Sequence, residues 1–529
     1  MGGDSDGSLN MSTDMAPMSS QCGNGVCEPG ETQACADCPA TTGTCNDGTC
    51  NFGETSTSCP ADCKPLRAGG MALRALPDLT TGSYKGYRGG LYPNSSNTMP
   101  ADHLAAGQAQ VAMIRPLDVA GTSDPANGKI VLISVGMSNT TQEFCHHDGV
   151  NNALPAACNP WSFSGRARDD AAVEHGKLIL VNGARGGMSI ENWVTPPVAH
   201  TPTAPAACAA YANPNNATYY PATAAGQAEK AGVFGSNGLF DEEYDRVNAC
   251  NLKANGLSFR QVQVAWVKLS RADAGANMLP DANADAYNLK RDLGNVMRSL
   301  KARYPNLRVV FLSSRVWGGF SGSTTAEPYA FETGFAVKWL IEAQINQLRN
   351  GGVSTENPNA PGYSGDLNYA TGVAPLVAWG PYLWANYNQP TSGDATWFGD
   401  VGSTLYAGTL AGEMAAPTNQ MLTLPPANAS TYYTYCGPGT GAAMATTPGP
   451  QSATLIHRWC DSDFYTLLQN GGRANSAFPA QYGWSSDSQQ EDGTHPLHDG
   501  EAKVGSLLLR FFKGSPLASC WFLAGRTCP

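Results

Sequence analysis

At 529 residues, 42% of them hydrophobic, the chain is long enough for one large domain with insertions or for two domains with appendages, and it can bury a sizeable core. Its formal net charge of −11 excludes nucleic acid and anionic membrane as the main partner, because both need a basic surface. No stretch approaches the roughly 18 apolar residues of a membrane helix, and 59 Gly and 36 Pro against 14% charged residues read as long, elaborated loops on a compact frame.

Residues 1–21 form a polar tether without the basic and apolar regions of a signal peptide, so we expect a signal peptide to have been removed, with Met1 in its place. Of the 16 Cys, eight lie between Cys22 and Cys63, and eight follow in sequence-near pairs: Cys145 with Cys158, Cys208 with Cys250, Cys436 with Cys460, Cys520 with Cys528. Connectivity is open at this stage, but such usage predicts an oxidising compartment, that of a secreted protein or surface lipoprotein. Residues 22–63 hold an internal repeat, in which Cys22-Gly-Asn-Gly-Val-Cys27 is echoed by Cys45-Asn-Asp-Gly-Thr-Cys50, and each copy closes on two further Cys. Units this small need disulfides or metal, a disulfide contributing about 2–4 kcal/mol. Asn24, Glu31, Asp37, Asp47, Glu54 and Asp62 supply hard oxygens suited to calcium, with polar turn residues that bind nothing as the alternative. The module resembles Cys-rich repeats of secreted bacterial proteins and would serve cell-surface attachment. Residues 64–81 read as a linker.

The main domain is predicted over 82–529, with a large insertion at about 350–490. Lys129-Ile-Val-Leu-Ile-Ser-Val135 is rich in β-branched residues and reads as a buried parallel strand, after which Gly136 permits the turn that presents Ser138. A helix and a Cys-bearing loop follow, then a second strand from Gly176 that runs into Gly186 and Gly187, where backbone amides can approach a ligand. A third strand is predicted over 261–269 and a fourth over 307–314. Between them, Leu289, Leu293, Val296, Met297 and Leu300 recur at helical spacing within 285–303. Further helices are predicted over 334–349 and 501–512. Strands alternating with helices mean a parallel sheet in an α/β fold.

The chemistry lies in two motifs. A serine hydroxyl is a weak nucleophile until an imidazole takes its proton, and a carboxylate must hold that imidazole in the right tautomer. Ser138 in Gly136-Met-Ser-Asn139, with Asp492 and His495 in Asp492-Gly-Thr-His495, supply the three parts. These blocks, with Asn182-Gly-Ala-Arg-Gly-Gly187 between them, resemble the SGNH (GDSL-type) hydrolase superfamily, and the Ser-Asn step and Trp193 are similar to its carbohydrate-esterase, sialate O-acetylesterase-like branch. The resemblance implies a three-layer α/β/α sandwich, Ser138 as nucleophile, His495 as base and Asp492 as its orienting partner. It also implies an oxyanion site formed by the N–H of Ser138 with that of Gly187 or Gly186. One block departs from the pattern: where the family carries Gly-x-Asn-Asp, this chain reads Leu269-Ser-Arg-Ala-Asp273, so Ala272 replaces the Asn that donates third to the oxyanion. Asn139, Lys268, Ser270 and Arg271 are the candidate substitutes, and Arg315 is a further candidate for that donor or for substrate contact.

The expected activity is hydrolysis of acyl esters, acetyl above all, on a carbohydrate or other small ester, with no cofactor required. Two alternatives stand beside it: a non-catalytic glycan-binding or surface-structural protein on a degenerate scaffold, and a lipase or phospholipase. Glu327 can line the cleft or hold loops by an ion pair with Arg315. His146 and His147 have no nearby ligands at metal spacing. Aromatics are dense at Trp379, Tyr382, Trp384, Tyr387, Trp397 and 432–435, read mainly as core with some left for a sugar platform. Asn139-Thr140-Thr141 is a glycosylation sequon, and a glycan there would block the site, which favours a bacterial secretory route.

Overall fold

The computed structural model describes residues 73, 76–79, 82–145, 154–159, 162–194, 208, 210, 211, 213, 215–233, 243–272, 274, 277–316, 318, 326–384, 495, 496 and 498–528. The Cys-rich repeats with their candidate calcium ligands Asn24, Glu31, Asp47 and Glu54, the His146-His147 pair, Cys436, Cys460 and Asp492 lie outside the described residues.

The frame is an α/β fold. A short helix α1 (Leu76–Leu79), a hairpin of β1 (Ser83–Tyr84) and β2 (Tyr87–Arg88) and helix α2 (Ala101–Val111) precede β3 (Ile130–Gly136). Then come α3 (Ser138–Phe144), α4 (Phe163–Asp169), β4 (Leu178–Val181), α5 (Ala224–Val233), α6 (Glu243–Arg246), β5 (Val262–Lys268), α7 (Asp285–Arg303), β6 (Val309–Leu312), α8 (Tyr329–Arg349) and β7 (Leu376–Trp379). Helices α9 (His498–Gly514) and α10 (Ser519–Phe522) close the chain. Strands β3 to β7 form one parallel sheet in the order β4-β3-β5-β6-β7.

Every residue of β3, β5, β6 and β7 is buried, so neither face of these strands meets water. That is why they read as continuous apolar runs rather than alternating ones. On α7 the buried residues Leu289, Leu293, Val296, Met297 and Leu300 make one stripe, and the helix packs on α8. Each such side chain contributes about 1.5–3 kcal/mol on leaving water. Helix α9 packs on α3, α4 and α10, and its Phe511 and Phe512 meet Phe311 of β6 edge-on. Phe163 of α4 joins the same aromatic cluster through Phe144, Phe512 and Phe522.

Three differences from the sequence-based expectations concern the edges of the domain. The edge strand β7 lies within the stretch 350–490 read above as insertion, while Trp379 at its end and Tyr382 and Trp384 beyond it are buried, in line with the core reading of these aromatics. Leu73 and Leu76, in the stretch read as linker, are buried, and the Leu76 N–H donates to the Tyr382 hydroxyl at 3.0 Å. Helix α8 begins at Tyr329, five residues before its expected start at 334; its first turn is buried all round, Glu332 included, so no exposed polar face marks it.

Disulfides join Cys145 to Cys158, Cys208 to Cys250 and Cys520 to Cys528. The second belongs to a small satellite cluster with Tyr220, Val233 and Ala249, apart from the main core. Among the described residues no helix is long and apolar enough to cross a membrane.

From β3 the chain moves outward to β4, then returns past β3 to lay β5 on its other side. The loops leaving β3, β4 and β5 therefore diverge at the carboxyl edge of the sheet, and a crevice opens between them.

Candidate active site

Ser138 stands at that carboxyl edge as the first residue of α3, partly exposed, one step beyond the partly buried Met137. Gly136 is required by space: a Cβ there would lie 2.2 Å from Thr140 Oγ1 and 2.5 Å from the Lys268 carbonyl. The residues after Ser138 are fastened to the ends of three strands. Asn139 Oδ1 accepts from Arg315 Nη1 at 3.1 Å, and Thr140 Oγ1 donates to the Lys268 carbonyl at 2.8 Å. Thr141 Oγ1 accepts from Asn182 Nδ2, and Glu143 pairs with Lys268. Helix α3 is thus pinned to the ends of β4, β5 and β6, and the position of Ser138 follows from four anchors rather than from its own backbone turn.

The Glu143–Lys268 pair is wholly buried. Burial pulls the lysine down to about 8, opposed by the charge of Glu143, and burial pushes the Glu143 carboxyl up, opposed by Lys268. The sequence signals only half of this: a lysine ending an apolar strand asks for an acid, but nothing in the run Ser138–Phe144 marks Glu143 as that acid.

The glycine block forms the facing wall. Asn182 is buried, accepts from Ser134 Oγ at 2.7 Å through Oδ1 and receives Asn251 Nδ2 on its carbonyl at 2.6 Å. Arg246 donates to the Gly183 carbonyl at 2.6 Å and pairs with Glu243 at 2.7 Å, both side chains being buried. The Arg185 N–H donates to the Gly136 carbonyl at 3.2 Å, which ties this loop to the end of β3. A Cβ on Gly186 would stand 3.8 Å from Ser138 Cβ, whereas one on Gly187 would meet nothing within 4 Å. Gly186 is therefore the glycine against Ser138, and Gly187, at φ +77°, is the one that the left-handed turn requires. Trp193 is a core residue, its Nε1 donating to the Met188 carbonyl at 3.2 Å and its carbonyl accepting from the Tyr244 hydroxyl at 2.5 Å.

The third block turns aside. Ala272 is exposed, and its N–H donates to Glu191, at 3.2 Å to Oε2. Arg271 is engaged by Asp292 and by Glu191 at 3.9 Å. Ser270 is buried, its hydroxyl on the Arg271 carbonyl at 3.3 Å. Of the candidate substitutes for the missing Asn, Lys268 and Arg271 are thus held by carboxylates, and Glu191, which holds this loop, is a residue the motif reading passed over.

His495 closes the site. Its Nε2 lies 2.6 Å from Ser138 Oγ. The helix that follows it, α9, begins at His498 and packs on α3, so the amino end of α9 delivers His495 to the residue that begins α3. In the tautomer with the proton on Nδ1, Nε2 accepts the serine proton.

Glu327 makes no ion pair with Arg315. It accepts from the Gly318 N–H at 2.8 Å, the Phe331 N–H at 2.9 Å and Trp384 Nε1 at 2.7 Å, holding the loop before α8 to the core. Burial pushes its carboxyl up to about 7, those three donors opposing it. The buried Asn139 side chain, with its oxygen on Arg315, leaves no room for a glycan on the folded chain. Among the described residues there is no group of three His, Cys, Asp or Glu side chains arranged to hold a metal ion. No family model, curated protein or solved structure matches the chain, so its residues alone carry the functional reading.

Proposed function

We propose that this protein is a secreted serine ester hydrolase of the SGNH type that removes acyl groups, acetyl above all, from a carbohydrate. The observation that carries the proposal is the 2.6 Å approach of His495 Nε2 to Ser138 Oγ at the carboxyl edge of a parallel sheet. A nucleophile and base in hydrogen-bond contact, beside a glycine loop in a crevice, are the minimal parts for acyl transfer. Strands buried on both faces, with α7 and α8 packed together and α9 on α3 and α4, support a three-layer α/β/α arrangement.

In this reading His495 Nε2 takes the Ser138 proton as Oγ attacks the ester carbonyl, and the N–H groups of Ser138 and of Gly186 or Gly187 stabilise the oxyanion. The imidazolium then returns the proton to the departing alcohol, leaving an acyl-enzyme. Water activated by the same imidazole releases the acid and restores the serine. Asp492, three residues before His495, is the proposed orienting carboxylate on Nδ1. No cofactor enters these steps. The Cys-rich repeats would attach the enzyme at a bacterial surface, with calcium as a candidate ligand there.

The test is release of p-nitrophenol from p-nitrophenyl acetate, and of acetate from acetylated oligosaccharides, by wild type and Ser138→Ala. Hydrolysis by wild type that the folded variant lacks supports the reading. A fully active S138A overturns it.

A further inference from the structure

One surface loop carries more than packing asks of it. From Cys208 to Tyr220 the chain holds Tyr211, Tyr219 and Tyr220, the carboxamides of Asn213, Asn215 and Asn216, and no charged residue. The rings of Tyr211 and Tyr219 meet with centroids 4.3 Å apart and planes tilted by 44°. Each packs on the satellite cluster and keeps part of its surface in water, whereas Tyr220 is buried and donates its hydroxyl to the Tyr211 carbonyl at 2.6 Å. Asn213 and Asn215 are exposed. Asn213 Oδ1 accepts from the Asn215 N–H at 2.9 Å, which leaves the Asn213 amide nitrogen and the whole Asn215 carboxamide without a protein partner.

The loop is fixed before any ligand arrives. The Cys208–Cys250 disulfide ties it to the helical segment Val247–Leu252, Asn216 Oδ1 accepts from the Thr218 N–H at 3.1 Å, and Asn216 Nδ2 donates to the Ala210 carbonyl at 3.3 Å. The same segment backs the glycine block: Asn251 Nδ2 holds the Asn182 carbonyl at 2.6 Å, and a Cβ on Gly183 would lie 3.5 Å from Val247 Cγ2. Rigid tyrosine rings lose little conformational entropy on binding, and carboxamides adapt to a ligand's donors and acceptors. The Lys253 ammonium, over the Tyr220 ring at 5.0 Å, is paired with Glu229 at 3.6 Å and brings no net charge. Aromatic surface beside neutral amides suits a ligand with apolar ring faces and many hydroxyls, whereas a phosphate, an acidic sugar or a charged peptide would find no counter-charge in this loop.

We infer that the Tyr211–Tyr219 pair, with the carboxamides of Asn213 and Asn215, is a carbohydrate-binding subsite outside the candidate active site, which holds a neutral polysaccharide by ring stacking and amide hydrogen bonds. This rests on the proposed reading of the substrate as a carbohydrate, not on acyl transfer at Ser138. The shared segment Val247–Leu252 places the subsite on the β4 side of the glycine block.

The experiment uses the full chain carrying Ser138→Ala, so that no ester is consumed, in affinity gels of xylan, glucomannan or hydroxyethyl cellulose, with anionic polygalacturonate as control. Retardation in at least one neutral gel, and none in polygalacturonate, is expected. Tyr211→Ala with Tyr219→Ala should weaken the binding about tenfold or more, while Tyr211→Phe with Tyr219→Phe, which keeps both rings, should weaken it less than about threefold. Asn213→Asp with Asn215→Asp keeps the turn's acceptor, removes both N–H2 donors and should cost about fivefold or more. If Y211A/Y219A does not fold, by circular dichroism, N213D/N215D decides alone. No retardation in any neutral gel, stronger retardation in polygalacturonate, or unchanged binding by either folded variant overturns the inference. So does light scattering that shows a dimer split by Y211A/Y219A, since the pair would then be a protein contact. In the chain with Ser138 in place, Y211A/Y219A should hydrolyse p-nitrophenyl acetate within about twofold of wild type, and a larger fall counts against a separate subsite. A wild type that binds the neutral glycan through this pair but hydrolyses no ester overturns the proposed activity and leaves the subsite standing.

Discussion

His495 Nε2 and Ser138 Oγ meet at 2.6 Å although 357 residues separate them in the chain. The contact is made by two helices, one beginning at Ser138 and one beginning three residues after His495, packed against each other with their amino ends together. Helix packing therefore sets the distance between Ser138 and His495, and under the proposed function a disturbance of that packing should act on activity before it touches either side chain.

The two residues should fail together. Ser138→Ala and His495→Ala are each expected to lower kcat by about 10⁴-fold or more, and the double variant to lose little beyond either single one, because residues acting as a unit are grossly non-additive. Initial rates on p-nitrophenyl acetate, with circular dichroism as the check on folding, measure this. Losses that multiply would mean that the two act independently.

Gly136→Ala tests the fit of α3 on the sheet. Its Cβ would meet Thr140 Oγ1 and the Lys268 carbonyl, and the second of these is backbone that cannot turn away. Overpacking of this kind costs about 1–3 kcal/mol, so the urea midpoint should fall with the slope unchanged. Activity should fall further than stability requires, since Ser138 moves with the helix.

The Glu143–Lys268 pair should show the asymmetry of a buried ion pair. Glu143→Gln or Lys268→Met alone leaves a charge in the core and is expected to cost about 3–5 kcal/mol, while Glu143→Leu with Lys268→Met recovers most of it. Urea denaturation of the four proteins reads the difference. Equal losses in the single and double variants would show that the pair matters through packing alone.

Stability should fall as pH rises from about 4.5 to about 7. Burial raises Glu327 and Glu332 from 4.5 to about 7 each in the folded chain, so the folded state keeps protons that the unfolded chain has released. The contribution is fully present below the unfolded value and is lost as pH passes through the folded one. Glu327→Gln imitates the protonated acid, and thermal melts across this window should show a flatter profile than wild type. An unchanged slope in E327Q would exclude Glu327 as a source of the effect.

Much of the frame was legible in the chain itself. The run 129–135 announces β3 because both of its faces are buried, and the stripe on α7 appears at its observed bounds because only one face is. Leu376–Trp379 escaped notice because four apolar residues among Pro, Gly and aromatics carry no period. The Ser138 and His495 motifs could be picked out singly, since each has a local pattern of turn and neighbour. Glu143, Glu191 and the Arg315–Asn139 contact could not, because a buried polar residue has no local pattern at all; its partner lies on another strand.

By itself the sequence determined the secondary-structure periods, the glycines that its turns require and the residue types available for chemistry, all of which depend on neighbours along the chain. Only the tertiary structure decided which of those residues meet. The order β4-β3-β5-β6-β7 opens the crevice at Ser138, the packing of α9 on α3 brings His495 into it, and the bond over β5 carries Arg315 to Asn139. These contacts depend on strand order and helix packing, and no local interaction encodes either.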